Sequence, residues 1–577
     1  MRHLRALARA GLTDVHLMPS FDISSIPEIG CTTPSPGGAP DSTAQQATVA
    51  ATASTDCYNW GYDPFHFTAP EGSYATSVAD GSTRVVEFRR MVQSLNQAGL
   101  RVGMDVVFNH TTASGENEHS VLDEVVPGYY HRLDASGNVL RDSCCDDTAT
   151  ENMMMGRLMT DSVVTWARDY HVSSFRFDIM GLQPRDAMVS LQAKVDAAVG
   201  HHVELIGEGW NFGAVANGAR FVQADMLDLN GTGIGTFNPA IRDAIRGGGC
   251  CDSGNSLVAN QGYINGLFYD PNAQGGGHGA GDLMWLGDVI KASLAGSIRS
   301  YTLTTSWDAQ LPLEQISFEG LPAGYVTNPS EVVNYFENHD NLTIFDANVY
   351  KLPTATSRED RARVQMLGAA INAFSQGVAY FHAGVDTLRS KSLDGNSYDS
   401  GDWFNRLDWS YVDNNFGVGL PMAASNQSNW PMQQPLLANA GIKPTPVEIA
   451  WARDEFRDLL KIRRSTTLLR MASADDIKAR LKFYNTGSQQ VPTVLVGDLD
   501  GRGYAGANFQ ELAYFVNVDK AAHSIAIPAL AGKAFELHPV QAAFSAADKR
   551  AAQATVDNLS GTFNIPARTA VVFVVKR

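Results

Sequence analysis

One motif dominates the first 380 residues: an amphipathic helical stretch, a turn, then a short apolar run. In "MRHLRALARAG", Met1, Leu4, Leu7 and Ala8 fall on one helical face and Gly11 closes the end; "TDVHLMP" follows as a strand. "VVEFRRMVQSLNQAG" precedes "LRVGMDVVFNH", "MTDSVVTWARDYH" precedes "VSSFRFDIMG", and "PRDAMVSLQAKVDAAVG" precedes "HHVELIGEGW". Further strands are predicted at "RFVQADML", "EVVNYFENHD" and "GVAYFHAG", the last behind the helix "SREDRARVQMLGAAINAFSQ". Helices alternating with apolar strands require a parallel sheet with helical crossovers. Roughly seven such strands approach the eight of a closed (β/α)8, TIM-type barrel. A doubly wound open sheet is the alternative, but no Gly-rich phosphate fingerprint supports it.

After about residue 465 the texture changes. "ARLKFYNTG", "VPTVLVGDLD", "ELAYFVNVD", "HSIAIPAL" and "TAVVFVVK" are short strands separated by Gly, Asn, Asp and Pro. The expected organisation is an α/β catalytic barrel over 1–465 and a C-terminal antiparallel β-sandwich over 466–577.

Charge and cysteine usage exclude several classes. A net charge of −17 repels phosphate backbones, so nucleic acid is not an expected partner. No apolar run approaches the roughly 18 residues of a membrane span. Arg9 and Asp14 interrupt any signal-peptide pattern after the basic start. The six cysteines contain no C-x-x-C pair, which argues against a zinc site. Cys31 and Cys57 flank a Pro, Ala, Ser and Thr-rich stretch read as a flexible loop; they are either a disulfide across its base or unpaired thiols. The adjacent pairs Cys144-Cys145 and Cys250-Cys251 lie in loops that they are placed to cross-link.

Polar residues gather at the C-terminal strand ends, where a barrel carries its active site: Asn109-His110, Asp178, Glu208 and His339-Asp340. In "SFRFDIMG", alternation points Phe175 and Phe177 to the helices and Arg176 with Asp178 inward. Opposite charges inside a barrel mouth are costly unless paired or used. Three carboxylates, Asp178, Glu208 and Asp340, are thus expected on one rim. That suits either an oxygen-ligand metal site or glycoside hydrolysis, which needs two carboxyl groups with separated pKa values. Arg176 favours an ionised Asp178, as a nucleophile requires, whereas Glu208 would need a raised pKa to serve as a general acid. Each carboxylate alone is equally well a buried salt bridge. Asp105 lies deeper on its strand and reads as a structural anchor. In the turn "YNWGYDP", three aromatic rings, an amide and a carboxylate suit a flat-faced, hydroxylated ligand or a loop pinned to the core. Trp60 and Trp210 are either aromatic subsites or core packing, and Met153-Met154-Met155 reads as helix or core filler.

"DVVFNH", "FRFDIMG", "GEGWN" and "FENHD" resemble the four ordered blocks of glycoside hydrolase family 13, the α-amylase family. "YNWGYDP", "NGTGIGTFNPAIRDAIRGG" and "FHAGVDTLRSKSLDGNSYDSGDWFNRLDW" resemble its pullulanase-type debranching members. The resemblance implies that Asp178 is the nucleophile, Glu208 the acid and then base, and Asp340 the transition-state stabiliser. It implies that His110, Arg176 and His339 bind the sugar or orient the carboxylates, with Tyr62 stacking on a glucose face and Asp63 lining the same subsite. It further implies an α-glucan substrate cleaved at α-1,6 branch links in pullulan, amylopectin or limit dextrins, with no cofactor required. The alternatives are an α-1,4-acting relative and a non-catalytic glucan-binding fragment. Similarity to exported bacterial enzymes implies a secreted, periplasmic or cell-surface protein, against a cytoplasmic one. Any metal is unassigned: "DGNSYDSGD" offers oxygen ligands for a structural calcium, without EF-hand spacing.

One departure stands out. "TDVHLMP" matches the second barrel strand of the family, so the first is expected upstream of Met1, and the chain is expected to be a piece of a longer protein.

Overall fold

The structure, a computed structural model, describes all 577 residues. Two compact units divide the chain: Met1–Ser35 with Val49–Phe237 and Tyr398–Asp402, and Pro36–Thr48 with Asn238–Ser397 and Trp403–Arg577.

The first unit realises the helix–strand rhythm. Its main elements are α1 (Arg2–Ala10), β1 (Asp14–Leu17), α2 (Gly81–Gln97), β2 (Arg101–Val106), α3 (Met153–Tyr170), β3 (Ser174–Phe177), α4 (Arg185–Val199), β4 (Glu204–Gly207) and β5 (Gly235–Phe237). All five strands are parallel and lie in chain order. In α1, Leu7 is buried and Leu4 and Ala8 are half-buried, as the face pattern predicts, while Met1 is exposed and His3 is buried instead. Gly11, at φ 135°, ends that helix, and its N–H returns to the carbonyls of Leu7 and Ala8. Asp80 caps α2 by accepting from the Ser82 N–H. Helix side chains such as Phe88, Val92, Trp166, Leu191 and Val195 share one core with Met104, Phe175, Phe177 and Leu205 of the strands. Each large apolar side chain so buried stabilises by about 1.5–3 kcal/mol. Met155 joins this core, whereas Met153 and Met154 are exposed at the start of α3.

Several expectations fail here. "RFVQADML" is not a strand: only Gln223 bridges Pro184. The Asp225 carboxylate accepts from the Leu227 and Asp228 N–H groups and curls the chain into a turn. The place beside β4 is taken by β5, with Ile206 opposite Gly235 and Gly207 opposite Thr236. The stretch between Cys31 and Cys57 is not featureless, because Ala44–Ala50 is helical, in keeping with its Ala and Gln content. Cys31 and Cys57 do form a disulfide, with Cα atoms 5.2 Å apart. Cys144 and Cys145 bond to each other rather than to another loop, and Cys250 and Cys251 are free and exposed.

The second unit holds α5 (Ala280–Leu294), β6 (Val332–Asn334), α6 (Arg358–Phe374), β7 (Val378–Ala379) and α7 (Pro446–Arg464), with β6 and β7 parallel. Every residue of α6 from Arg361 onward is buried, because α5, α7 and a β-sheet all pack on it. That sheet belongs to the antiparallel region β8 (Leu481–Tyr484), β9 (Val494–Asp500), β10 (Phe509–Asn517), β11 (His523–Ala526), β12 (Glu536–Leu537), β13 (Thr555–Asp557), β14 (Thr562–Ile565) and β15 (Thr569–Lys576). It forms a five-stranded sheet in the order β8-β9-β10-β15-β12 and a three-stranded sheet β11-β14-β13. Val496, Phe515 and Phe573 from the larger sheet share a core with Ile525, Phe563 and Ile565 from the smaller. The alternate residues Tyr514 and Val572 are buried as well, with Tyr514 against Phe374 of α6. Burial of both faces explains why "TAVVFVVK" reads as a continuous apolar run.

Candidate active site

The site of the first unit is organised by Arg176. Parallel register sets Asp105 of β2 opposite Arg176 of β3, and Arg176 opposite Ile206 of β4. Phe175 and Phe177 enter the core, so Arg176 turns to the other face with Asp178. The Arg176 side chain is 3 % exposed, and a guanidinium that deep must be paired. Its Nη1 donates to Asp105 Oδ1 at 3.0 Å and to Asp178 Oδ1 at 3.0 Å. Its Nη2 lies 2.9 Å from Glu208 Oε1. Burial opposes the charge, but Asp105, Glu208 and Asp178 outweigh it and hold the guanidinium protonated. Burial also pushes the Asp105 carboxyl up to about 6, against the pull of Arg176 and a hydrogen bond from Tyr62. Asp105 is therefore the anchor its depth predicted, and it also ties Tyr62 to the site: the phenolic oxygen donates to Asp105 Oδ2 at 2.6 Å.

A second set of contacts fixes the carboxylates from above. Asn109 Nδ2 donates to Asp178 Oδ2 at 3.2 Å and to His110 Nδ1 at 2.9 Å. His110 Nε2 donates to the Tyr62 carbonyl at 2.7 Å, which assigns the neutral Nε2–H tautomer, and burial holds the imidazole pKa down. Glu208 Oε2 accepts from the Ile179 N–H at 3.1 Å. Ile179 has φ 37° and ψ 52°, a left-handed conformation that is costly for a β-branched residue. The Gly181 N–H donates to the Glu208 carbonyl at 2.9 Å, and a Cβ at Gly181 would stand 2.0 Å from the Trp210 carbonyl oxygen. Only glycine permits that approach.

The "YNWGYDP" turn bends at Gly61, φ 92°, where a Cβ would meet Ile23 Cδ1 at 2.9 Å. Trp60 is 7 % exposed and makes edge contacts with Tyr62 and Tyr398, each at 6.5 Å, so it packs the turn rather than offering a face. Trp210 is half-buried. Asp63 Oδ2 accepts from Ser25 Oγ at 2.6 Å.

In the second unit, His339 and Asp340 follow β6, with His339 Nε2 3.5 Å from Asp340 Oδ1. The Asp340 side chain is 43 % exposed, and Asn341 beyond it has φ 60°. Lys391 Nζ donates to the His339 carbonyl at 2.9 Å, and burial lowers that amine to about 8. Glu337 is buried, which pushes it up to about 7, and it accepts from the Ile344 N–H at 2.7 Å.

Arg176, Asp178, Glu208, Tyr62 and His110 thus form one bonded group in the first unit, while His339 and Asp340 adjoin in the second. Asn109 was named beside His110 among the polar residues at the strand ends, whereas Glu337 and Lys391 were not singled out from the sequence. Glu337 lies inside the motif block "FENHD" and Lys391 inside "FHAGVDTLRSKSLDGNSYDSGDWFNRLDW", which was the signal available for each.

The family model described as "Alpha-1,6-glucosidases, pullulanase-type, C-terminal" matches residues 411–576. The chain is 40 % identical to the chloroplastic pullulanase 1 of Arabidopsis thaliana, over 100 % of this chain and 62 % of the relative. It is 34 % identical to the pullulanase of Klebsiella pneumoniae, over 99 % of this chain and 56 % of the relative. The solved apo structure of a Klebsiella pneumoniae pullulanase superposes with a TM-score of 0.94 at 33 % identity, covering 100 % of this chain and 66 % of that one. The chain belongs to the pullulanase-type branch of glycoside hydrolase family 13. The first unit supplies that family its "DVVFNH", "FRFDIMG" and "GEGWN" blocks, and the second unit supplies "FENHD". The chain spans about three-fifths of the length of the curated pullulanases it matches. A maltotriose complex of the Klebsiella pneumoniae pullulanase superposes with the same TM-score of 0.94. No helix is long and apolar enough to cross a membrane.

Proposed function

We propose that this chain carries the catalytic machinery of a retaining α-1,6-glucan debranching hydrolase acting on pullulan, amylopectin and limit dextrins. Asp178 attacks the anomeric carbon while Glu208 protonates the departing glycosidic oxygen; Glu208 then deprotonates the water that releases the glucosyl enzyme. Asp340 stabilises the oxocarbenium-like transition state. Tyr62, Asp63, His110, Arg176 and His339 bind or orient the sugar. The proton moves only between a carboxyl group and oxygen, so the chemistry needs no cofactor. The observation that carries the reading is Arg176 holding Asp178 and Glu208 within 3.0 Å of one guanidinium at the ends of adjacent parallel strands. Whole-length similarity to named pullulanases supports the linkage preference.

The architecture in this reading is a (β/α)8 barrel over 1–465, followed by a β-sandwich over 466–577. A structural calcium at 394–402 belongs to the reading. Burial with Asp56 and Asp63 pushes Asp399 up to about 6, and the buried Asp56 Oδ2 has no hydrogen-bond partner. A divalent cation would relieve that crowding, and loss of thermal stability on chelation tests it. An oxidising compartment, secreted or periplasmic, is supported by the Cys31–Cys57 disulfide.

Incubating the purified chain with pullulan tests the function. Maltotriose as the product supports α-1,6 cleavage, panose or isopanose moves the assignment to α-1,4 links, and dextrin binding without turnover makes the chain a binding fragment.

A further inference from the structure

Residues 142–147 form a turn that nothing in the hydrolytic scheme uses. His110–Thr111 and Asp146–Asp147 pair as short antiparallel strands, with His110 opposite Asp147. The bonded pair Cys144-Cys145 directly precedes this bridge, with Cys144 exposed to solvent and His110 buried. The two sulfurs and a ring nitrogen of His110 lie within 4.8 Å of one another. We propose that reduction of the Cys144–Cys145 disulfide opens a soft-metal site, in which both sulfurs and the His110 imidazole hold one cation of the zinc or cadmium class.

The chemistry balances in two steps. An external two-electron reductant, a dithiol or a phosphine with water, breaks the S–S bond and leaves two thiols; the dithiol departs as its disulfide, the phosphine as its oxide. The cation then displaces both thiol protons into solvent, forming two metal–sulfur bonds and one bond to a neutral imidazole nitrogen. Two thiolates and an imidazole select a soft or borderline cation and disfavour calcium or magnesium, which take oxygen ligands. Three protein ligands leave a fourth tetrahedral position to water.

Such a site would act on its surroundings through His110. Both ring nitrogens are already engaged, Nε2 with the Tyr62 carbonyl and Nδ1 with Asn109, which also holds Asp178. Metal ligation takes one nitrogen and breaks one of these contacts. The turn also reaches the loop after Glu208, because Asp142 Oδ2 accepts from the Ala214 N–H at 2.8 Å. Metal capture should therefore slow turnover, a consequence that rests on the proposed hydrolase function; the binding itself does not.

The test uses the full chain in a Cys31→Ser/Cys57→Ser/Cys250→Ser/Cys251→Ser background, so that Cys144 and Cys145 are the only thiols released, reduced with a phosphine, desalted and titrated with cadmium. The expected result is a thiolate-to-cadmium charge-transfer band saturating at one equivalent, absent before reduction and absent when Cys144→Ser/Cys145→Ser is added. His110→Gln should weaken cadmium binding by at least about tenfold. Pullulan hydrolysis should fall by a similar factor and return with EDTA. A band of equal intensity without Cys144 and Cys145, or one seen before reduction, overturns the site. Should the serine variants misfold, thiol-alkylation mapping of the parent decides: cadmium must protect Cys144 and Cys145, and unimpeded labelling overturns the proposal. A chain inactive from the outset removes the functional reading, and the cadmium band still decides the metal site.

Discussion

The Tyr62 hydroxyl donates to Asp105 Oδ2 at 2.6 Å, joining the aromatic turn to a buried carboxylate on the strand below it. Asp105 is in turn held by Arg176, which spans to Asp178 and Glu208. The aromatic turn is therefore wired to the proposed catalytic pair through three side chains. Tyr62→Phe keeps the ring and removes the bond. It should destabilise the chain by about 1–3 kcal/mol, the cost of stripping a partner from a buried charged group. Urea denaturation measures this, and a variant as stable as the parent would break the proposed wiring.

The two carboxylates should respond differently to chemical rescue. Asp178→Asn and Glu208→Gln should each lower kcat on pullulan by at least about a thousandfold. On an α-glucoside with an activated aryl leaving group, which departs without a proton, azide should restore cleavage in both, giving a β-glycosyl azide of inverted configuration from Asp178→Asn and an α-azide of retained configuration from Glu208→Gln. Product stereochemistry by NMR checks the roles, and the opposite pattern would exchange them.

Ile179 pays a conformational penalty between the two carboxylates, with φ 37°. Its backbone N–H reaches Glu208 Oε2 at 3.1 Å, a contact the strained conformation aims. Ile179→Gly should relieve on the order of 1 kcal/mol of backbone strain. The same change should slow turnover, because the freed backbone no longer holds its N–H on the carboxylate. Thermal melting and kcat measured together test this; unchanged turnover would mean that the strain is incidental.

Burial beside Glu511 pushes Asp498, on β9, up to about 8, while Lys533 pairs with Glu511. The folded pKa lies above the unfolded value of about 3.9, so the native state keeps a proton that the unfolded chain loses. The stabilisation is complete below about pH 4 and is lost as pH rises toward 8, on the order of 1 kcal/mol per unit. Asp498→Asn mimics the protonated form and should flatten this fall. Denaturation of parent and variant at pH 5, 6.5 and 8 checks the sign, and parallel curves would falsify the assignment.

Much of this arrangement was legible in the chain itself. Alternation in "SFRFDIMG" placed Arg176 opposite the phenylalanines, and the structure pairs it with Asp178. The strand β5 was not legible, since Gly235, Thr236 and Phe237 carry no pattern longer than a turn and gain their role only by pairing with β4. "RFVQADML" had the apolar content of a strand, but Asp225 captures local N–H groups that a ladder would otherwise use. The bonding of Cys144 to Cys145 was equally hidden, because sequence lists cysteines without their partners.

Gly181 carries a last implication. Its bare Cα lets the segment behind Asp178 lie against the Trp210 carbonyl, and its amide clasps the main chain at Glu208. Asp178 and Glu208, the proposed attacker and proton donor, are thereby welded into a single rigid block, so neither is free to drift without dragging the other. If the proposed hydrolysis holds, efforts to retune the linkage preference should leave that block alone and reshape the aromatic turn bonded to it.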